Sequence, residues 1–454
     1  MTVHVAGSAT RARRMPAPRP VPPMIATTLS LQHALERAAD GGRLDASTAT
    51  HLLEHAPLLE LAGAAHARRQ ALTDPGRVTY QVDRNINYTN VCVTDCSFCA
   101  FYRHRGHAEA YTQSTEQILQ RCAEAVDLRA TSVLLQGGHN PWLPISYYEE
   151  LFGAIKQRFP ELHVHALSPT EIGFIAHRVE QKPVAEVVAR LRDAGLDSVP
   201  GGGAEILVDR VRDAISPKKQ RSAEWLDVTR DIHRAGLPTT ATMMMGHAET
   251  LAERVEHLRL LREVQDETHG LLSFIAWTYQ PDNTELQGRR TSGSDYLRSF
   301  AIARLMLDNV LHLQASWLTV GAQIGQLALS FGSDDLGSVM LEENVVTLAG
   351  APHASNEAEL IRMIEDAGFV AARRDTYYDI LEVHSPDQTD GVDRRRVGRI
   401  AGPGIAGSTP SQVPGTAGVV PEGTPSGRHR RALEAQTASG APHAEETPFP
   451  EPAE

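Results

Sequence analysis

Basic charge is scarce in this chain: 44 lysines and arginines face 56 aspartates and glutamates, a formal charge of −12 over 454 residues. A surface of that sign repels a phosphate backbone, so nucleic acid is excluded as the main partner. Long apolar runs are missing too. None reaches the ~18 residues that a bilayer-spanning helix needs, so no membrane insertion is expected. Residues 1–28 carry Arg11, Arg13, Arg14 and Arg19 among prolines. They lack the apolar stretch of a secretory or twin-arginine signal, which makes the cytoplasm the expected location. Cysteine occurs only four times, and three of the four, Cys92, Cys96 and Cys99, fall within eight residues. Three crowded thiols cannot pair off without leaving one over, which argues against a disulfide framework and for a shared metal centre. Gly137-Gly138 opens no G-x-G-x-x-G pattern, so a dinucleotide-binding site has no support.

Composition divides what is present into four parts. Residues 1–28 have no periodicity and are expected to be disordered. Residues 29–76 form a helical segment, with leucines between polar positions, Asp45 or Ser47 as a cap, and Pro75-Gly76 as its end. Residues 77–383 form the barrel with its closing elements. Residues 384–454 hold 10 prolines, 10 glycines and one aromatic residue, Phe449, too little apolar surface to offset the entropy of ordering them.

Within 77–383, short β-rich runs alternate with amphipathic helical stretches. The expected strands are 84–91, 132–135, 162–166, 197–199, 239–244, 271–277, 312–318 and 337–340. The expected helices are 114–128, 146–158, 183–194, 222–235, 249–265 and 294–310. A further helix at 356–367 and a strand ending near Val383 close the folded part. Strand–helix alternation predicts parallel βαβ units, and eight of them make an α/β fold of the (β/α)₈ TIM-barrel type. Six units with an appendage are the alternative.

The spacing Cys92-x₃-Cys96-x₂-Cys99 supplies three thiolates for three irons of a [4Fe–4S] cube and leaves the fourth iron open, as a catalytic centre requires. The competing arrangement is a zinc or redox-sensing Cys₃His module with His104 or His107 as the fourth ligand. Zinc sites of this kind more often use C-x₂-C pairs, and this motif follows a predicted barrel strand, where catalytic groups sit. Several other residues stand at strand ends. Gln136-Gly137-Gly138-His139 follows the second strand, where glycines let backbone approach a ligand closely. The 200–205 stretch (PGGGAE) ends on Glu205 and is either a flexible loop or a close-approach loop. His163 and His165 share one face of the third strand, as core histidines or as site residues. Trp277 and Tyr279 follow the sixth strand. Met243, Met244 and Met245 read as core filling, and Cys122 as a packing residue.

C-x₃-C-x-Φ-C, with Phe98 as Φ, resembles the radical S-adenosylmethionine (SAM) superfamily. The blocks at 83–92 (DRNINYTNVC), 134–141 (LLQGGHNP), 163–166 (HVHA), 197–205 (DSVPGGGAE), 239–244 (TTATMM) and 277–281 (WTYQP) resemble more closely one family, the cyclic dehypoxanthinyl futalosine synthases. The resemblance covers about residues 30–383. It implies a [4Fe–4S] cluster held by Cys92, Cys96 and Cys99, with SAM on the open iron. Phe98, Gln136, Gly137, Gly138 and Glu205 would contact that SAM. It further implies cyclisation of dehypoxanthine futalosine in menaquinone biosynthesis. A 5′-deoxyadenosyl radical would abstract the ribose C4′ hydrogen, the carbon radical would add to the benzoate ring, and loss of a proton and an electron would follow. The expected partners are that small-molecule substrate and an electron donor such as flavodoxin or ferredoxin. Arg103, Arg105 and His139 qualify by position to hold the substrate carboxylate, with Trp277 and Tyr279 near it. Glu205 and His165 qualify as the base or as sugar contacts. The sister aminofutalosine synthase and the deazaflavin-synthase-like enzymes are the alternatives within the superfamily.

Overall fold

The computed structural model describes residues 23–384; residues 1–22 and 385–454, and with them most of the two expected disordered ends, lie outside the described residues. Among the described residues, no helix is long and apolar enough to cross a membrane.

Among the described residues three helices precede the barrel, Pro23–Ala39, Ala46–His55 and Leu58–Leu72, so the first begins ahead of the expected boundary at 29. Of the two cap candidates, the second helix uses Asp45, whose carboxylate accepts from the Thr48 amide at 2.8 Å. This satisfies one of the free N–H groups of the first turn. Leu52, Leu53 and Leu61 are buried, so the segment packs as part of the main core.

Ten strands follow in chain order: β1 (Arg77–Gln81), β2 (Asp83–Asn87), β3 (Ser132–Gln136), β4 (His163–Ala166), β5 (Thr239–Met245), β6 (Leu271–Thr278), β7 (His312–Ala315), β8 (Asp335–Ser338), β9 (Val370–Arg374) and β10 (Ile380–His384). β2, β3 and β4 pair in parallel, as do β5 to β8. Two seams join these sets. At one, residues 198–199 bridge His165 on one side and Thr239 on the other, standing for the expected fourth strand. At the other, the Leu341 amide donates to the Asp83 carbonyl at 3.0 Å. Eight strands therefore close a barrel, and the six-unit alternative does not describe it.

Two expectations change at the edges. The expected seventh strand stops at Ala315 because the helix Trp317–Val320 takes over. The closing element is a hairpin, β9 antiparallel to β10, with β9 running parallel to β1. β1 itself was not anticipated. Its Val78 and Tyr80 are buried, but with five residues it carries too few alternations to stand out.

The helices pack outside the barrel by their apolar faces. Ser114 and Gln117 form a capping box at the start of Thr115–Asp127, which buries Ile118, Leu119, Cys122 and Ala125. The turn of the β9–β10 hairpin crosses the end of the barrel where strands begin. Tyr377 meets His163 edge-on at 4.9 Å, and Tyr378 stacks on His312 at 3.7 Å. Between them the Arg374 guanidinium pairs with Asp335 (2.5 and 2.9 Å) and with Gln81 (2.8 Å). That end forms a floor.

Candidate active site

A cavity of about 390 Å³ runs down the barrel from the cysteine loop to this floor. Its walls hold Cys92, Cys96, Cys99, Phe98, Gln136, Gly137, Gly138, His139, His165, Glu205 and Trp277. The cysteine loop leaves the end of β2 and is held by backbone bonds. The Cys92 amide donates to the Arg103 carbonyl at 3.1 Å, and the Cys99 amide to the Cys96 carbonyl at 2.9 Å. Asp95, between the thiols, takes the left-handed conformation (φ 49°), and its carboxylate meets Lys218 at 2.5 Å.

Gly137 and Gly138 have a steric reason. A Cβ on Gly138 would lie 2.3 Å from the Val91 carbonyl oxygen and 2.7 Å from Cys92 Cβ; one on Gly137 would strike the Tyr88 ring at 2.5 Å. Only glycine lets the β3 loop lie this close to the cysteine loop. The contact is also polar, since the His139 amide donates to Cys92 Sγ at 3.4 Å.

Glu171 binds this arrangement from below. It accepts from the Gly137 amide (3.0 Å), the Tyr88 hydroxyl (2.7 Å) and the Ser168 hydroxyl (2.6 Å). Glu205 is 4% exposed and left-handed (φ 41°); its Oε1 accepts from Lys219 at 2.9 Å. Lys219 Nζ in turn lies 5.1 Å from the centre of the Phe98 ring, a cation–π distance. Burial pushes the Cys96 thiol up to about 12 against the pull of Lys219, and it raises Cys99 as well. A metal bound here must therefore displace thiol protons.

Several residues of the cavity wall carry atoms without a hydrogen bond. Glu205 Oε2, Asn85 Oδ1, Thr170 Oγ1, Thr376 Oγ1 and Tyr378 Oη are buried and take none among the described residues, although Glu205 Oε2 keeps an ion pair with Arg212 at 3.7 Å. Buried polar atoms are almost always paired, so orphans on cavity-lining residues point to places for ligand groups.

Not every expected residue reaches the cavity. Arg103 is turned into its own loop, donating to the carbonyls of Ala100 (3.0 Å) and Tyr102 (2.8 Å) and to Glu109 (2.7 Å). It braces the turn after Cys99 and does not line the cavity. Arg105 stacks on Trp142 at 4.4 Å, outside the cavity wall. Tyr279 is 1% exposed and gives its hydroxyl to the Leu286 carbonyl, within the loop that follows β6. His139 does line the cavity, with Nδ1 2.8 Å from the Thr94 hydroxyl and its ring stacked on Phe174 at 4.7 Å. Burial holds its pKa down at about 3, so it is neutral and cannot serve as a cationic carboxylate anchor. Lys219, Glu171 and Asn85 were not singled out from sequence. Lys219 sits in an aperiodic loop, and nothing in its neighbours marks it.

The residues proposed for a zinc site are also apart. His104 is 64% exposed at its side chain and faces Asp95 at 3.5 Å, and His107 Nδ1 accepts from the Glu109 amide at 3.1 Å. Among the described residues, no three His, Cys, Asp or Glu side chains converge on a single-ion site. A cube binds each thiolate to a different iron, so it calls for thiols around a cavity and not around a point.

Comparison with known proteins agrees with this geometry. The radical SAM superfamily matches residues 86–261, and the CofH/MqnC C-terminal region matches residues 268–387. The cyclic dehypoxanthine futalosine synthase of Streptomyces coelicolor is 48% identical over 383 residues, which are 84% of this chain and 96% of that protein. The chain belongs to the cyclic dehypoxanthine futalosine synthase family. It is a radical SAM enzyme, and members of that superfamily work with a [4Fe–4S] cluster and SAM. Enzymes of other names are similar as well. A 5-amino-6-(D-ribitylamino)uracil–L-tyrosine 4-hydroxyphenyl transferase of Methanosarcina barkeri is 42% identical over 78% of this chain and 93% of its own length. Among solved structures, methylornithine synthase (PylB) has the same fold, with a TM-score of 0.60 at 18% identity over 74% of this chain and 96% of that one.

Proposed function

We propose that this chain cyclises dehypoxanthine futalosine in the futalosine route to menaquinone, and that the cavity residues divide the work as follows. Cys92, Cys96 and Cys99 would hold the cluster, Gly137 and Gly138 would leave room for the methionine part of SAM, and Phe98 and Glu205 would meet its adenosine. When bound, the cluster and SAM supply a carbon-centred radical able to abstract hydrogen from the ribose C4′.

The remaining tasks fall to the chain. Lys219 sets a positive charge beside Glu205 and the cysteine loop, where anionic groups gather. The orphaned Asn85 Oδ1 accepts, and Thr170 Oγ1 donates or accepts, which suits the sugar hydroxyls of the substrate. Leu134, Ile275, Trp277 and Leu336 line the wall with apolar surface and exclude water from the reacting carbon. Holding ribose and benzoate together in this space makes ring closure intramolecular. His165 accepts the proton lost from the benzoate ring at Nε2, since its Nδ1 is engaged by Ser198 at 2.6 Å.

The observation that carries this reading is the meeting of the three thiols, the glycine pair and the residues with orphaned polar atoms in one cavity, in a chain of this family. The test is anaerobic turnover with SAM and reductant, comparing dehypoxanthine futalosine with an enolpyruvyl-benzoate. Cyclised product from the first supports the proposal. Consumption of the second alone moves the chain to an aminofutalosine synthase activity.

A further inference from the structure

Near the floor, a buried hydroxyl joins two imidazoles. Ser198 Oγ lies 2.6 Å from His165 Nδ1 and 2.6 Å from His163 Nε2, and Ser198 is 0% exposed. A single hydroxyl donates one proton, so it accepts from one ring and donates to the other. The two ends of this chain of bonds face different surroundings. His165 lines the cavity. His163 lies outside the cavity wall, edge-on to Tyr377, which is 48% exposed. Beside it stands the Lys156–Asp197 pair (2.5 Å), whose side chains are about a quarter exposed.

We propose that His165, Ser198 and His163 form a proton relay that carries the proton lost by the cyclised substrate from the cavity to solvent at the barrel floor. It rests on the reading of His165 as the base. At the start His165 holds its proton on Nδ1, donates it to Ser198 Oγ, and offers the Nε2 lone pair to the cavity. The Ser198 hydroxyl donates to His163 Nε2. When Nε2 of His165 takes the ring C–H proton, the Nδ1 proton moves to Oγ and the hydroxyl proton moves to His163 Nε2. His163 then releases its Nδ1 proton to water beside Asp197. The C–H electron pair stays in the ring and restores aromaticity. The odd electron leaves separately, to a one-electron acceptor of the iron–sulfur class. After product leaves, Nε2 gives the substrate's proton to water entering the cavity, and a proton taken up from solvent at His163 Nδ1 runs the shift in reverse, so the floor carries the charge during the step and recovers its proton afterwards.

The surrounding charges favour outward transfer. Burial disfavours an imidazolium at either ring; Arg374 and His163 disfavour it further at His165, whereas Asp197 favours it at His163 against Lys156. Burial therefore works against a proton resting on His165 and favours passing it on. A hydroxyl at 198 would fix the tautomer of each ring without a carboxylate bonded to either.

The test compares the full-length protein with Ser198→Ala and Ser198→Thr. In the protein without substrate, ¹⁵N-histidine NMR reads the tautomers of His163 and His165. The wild type should show one fixed tautomer for each ring and Ser198→Ala a mixture. In anaerobic turnover, Ser198→Ala should form cyclised product ~100-fold more slowly, the size of a lost proton-transfer group. Its 5′-deoxyadenosine formation should stay within about threefold, because hydrogen abstraction precedes the proton step; Ser198→Thr should recover most of the loss. Unchanged product formation in Ser198→Ala overturns the relay, as does an equal fall in product and 5′-deoxyadenosine. Failure of the wild type to cyclise dehypoxanthine futalosine overturns the substrate reading instead, and the NMR comparison still decides whether the hydroxyl fixes both rings.

Discussion

The two ends of the barrel differ in how their polar groups are satisfied. At the mouth, Glu205 Oε2 and Thr170 Oγ1 take no hydrogen bond among the described residues, and Cys92, Cys96 and Cys99 stand outside any disulfide. At the floor, Thr376 Oγ1 and Tyr378 Oη take none either, but the charges are matched: Arg374 with Asp335, and Asp334 with both Arg304 (2.6 Å) and His312 (2.6 Å). Unmet groups cost folding energy unless a ligand meets them, and a paired buried charge is costly only when its partner is removed. The mouth is therefore built for what binds there, and the floor to keep the barrel shut.

The largest effect should come from the mouth. Cys92→Ala, Cys96→Ala or Cys99→Ala should each abolish turnover and cut iron per chain and visible absorption after anaerobic reconstitution, while Cys122→Ala retains both. Normal iron content in any of the first three would remove that thiol from the ligand set. The floor should respond in the opposite sense. Arg374→Met leaves the Asp335 carboxylate buried without its main partner, and urea unfolding should show a loss of about 3–5 kcal/mol. A loss of turnover at unchanged stability would instead make Arg374 part of the site.

Smaller effects sharpen the contrast. Thr170→Val removes an orphaned hydroxyl at nearly constant volume. It should raise KM by about tenfold with a stability change under about 1 kcal/mol. Away from both ends, Thr250 and Glu253 form a capping box on Leu251–Thr268. Thr250→Ala should cost about 1 kcal/mol and leave turnover unchanged. Arg210 and the Thr250 amide hold Glu253 down to about 2. Its folded pKa is lowered, so its contribution is full above the usual carboxylate range and fades as pH falls toward 2. Acid unfolding of Glu253→Gln should lack that part of the pH dependence.

How far the sequence led follows the same division. The cysteine spacing and the glycine pair are legible because their chemistry dictates local order, and strand–helix alternation is legible because burial repeats along the chain. Lys219, Glu171 and Ser198 act through partners 14 to 35 residues away or across strands, and no local pattern records such pairings. Arg103 and Tyr279 look like site residues by position, yet their own loops offer them carbonyls first. The fourth strand survives only as bridges at residues 198–199, just ahead of the turn at Gly202-Gly203.

The seams that close the barrel bear on how the chain can be divided. The two matched family regions meet between residues 261 and 268, between β5 and β6, which pair from Thr239–Leu271 to Met245–Thr278. A cut there would bare both strand edges along their whole length, and exposed edges seek other chains. The halves are separate in sequence comparison only. A protein ending before β6 should aggregate, and co-expression of the missing half should rescue it, because each half is the other's last neighbour.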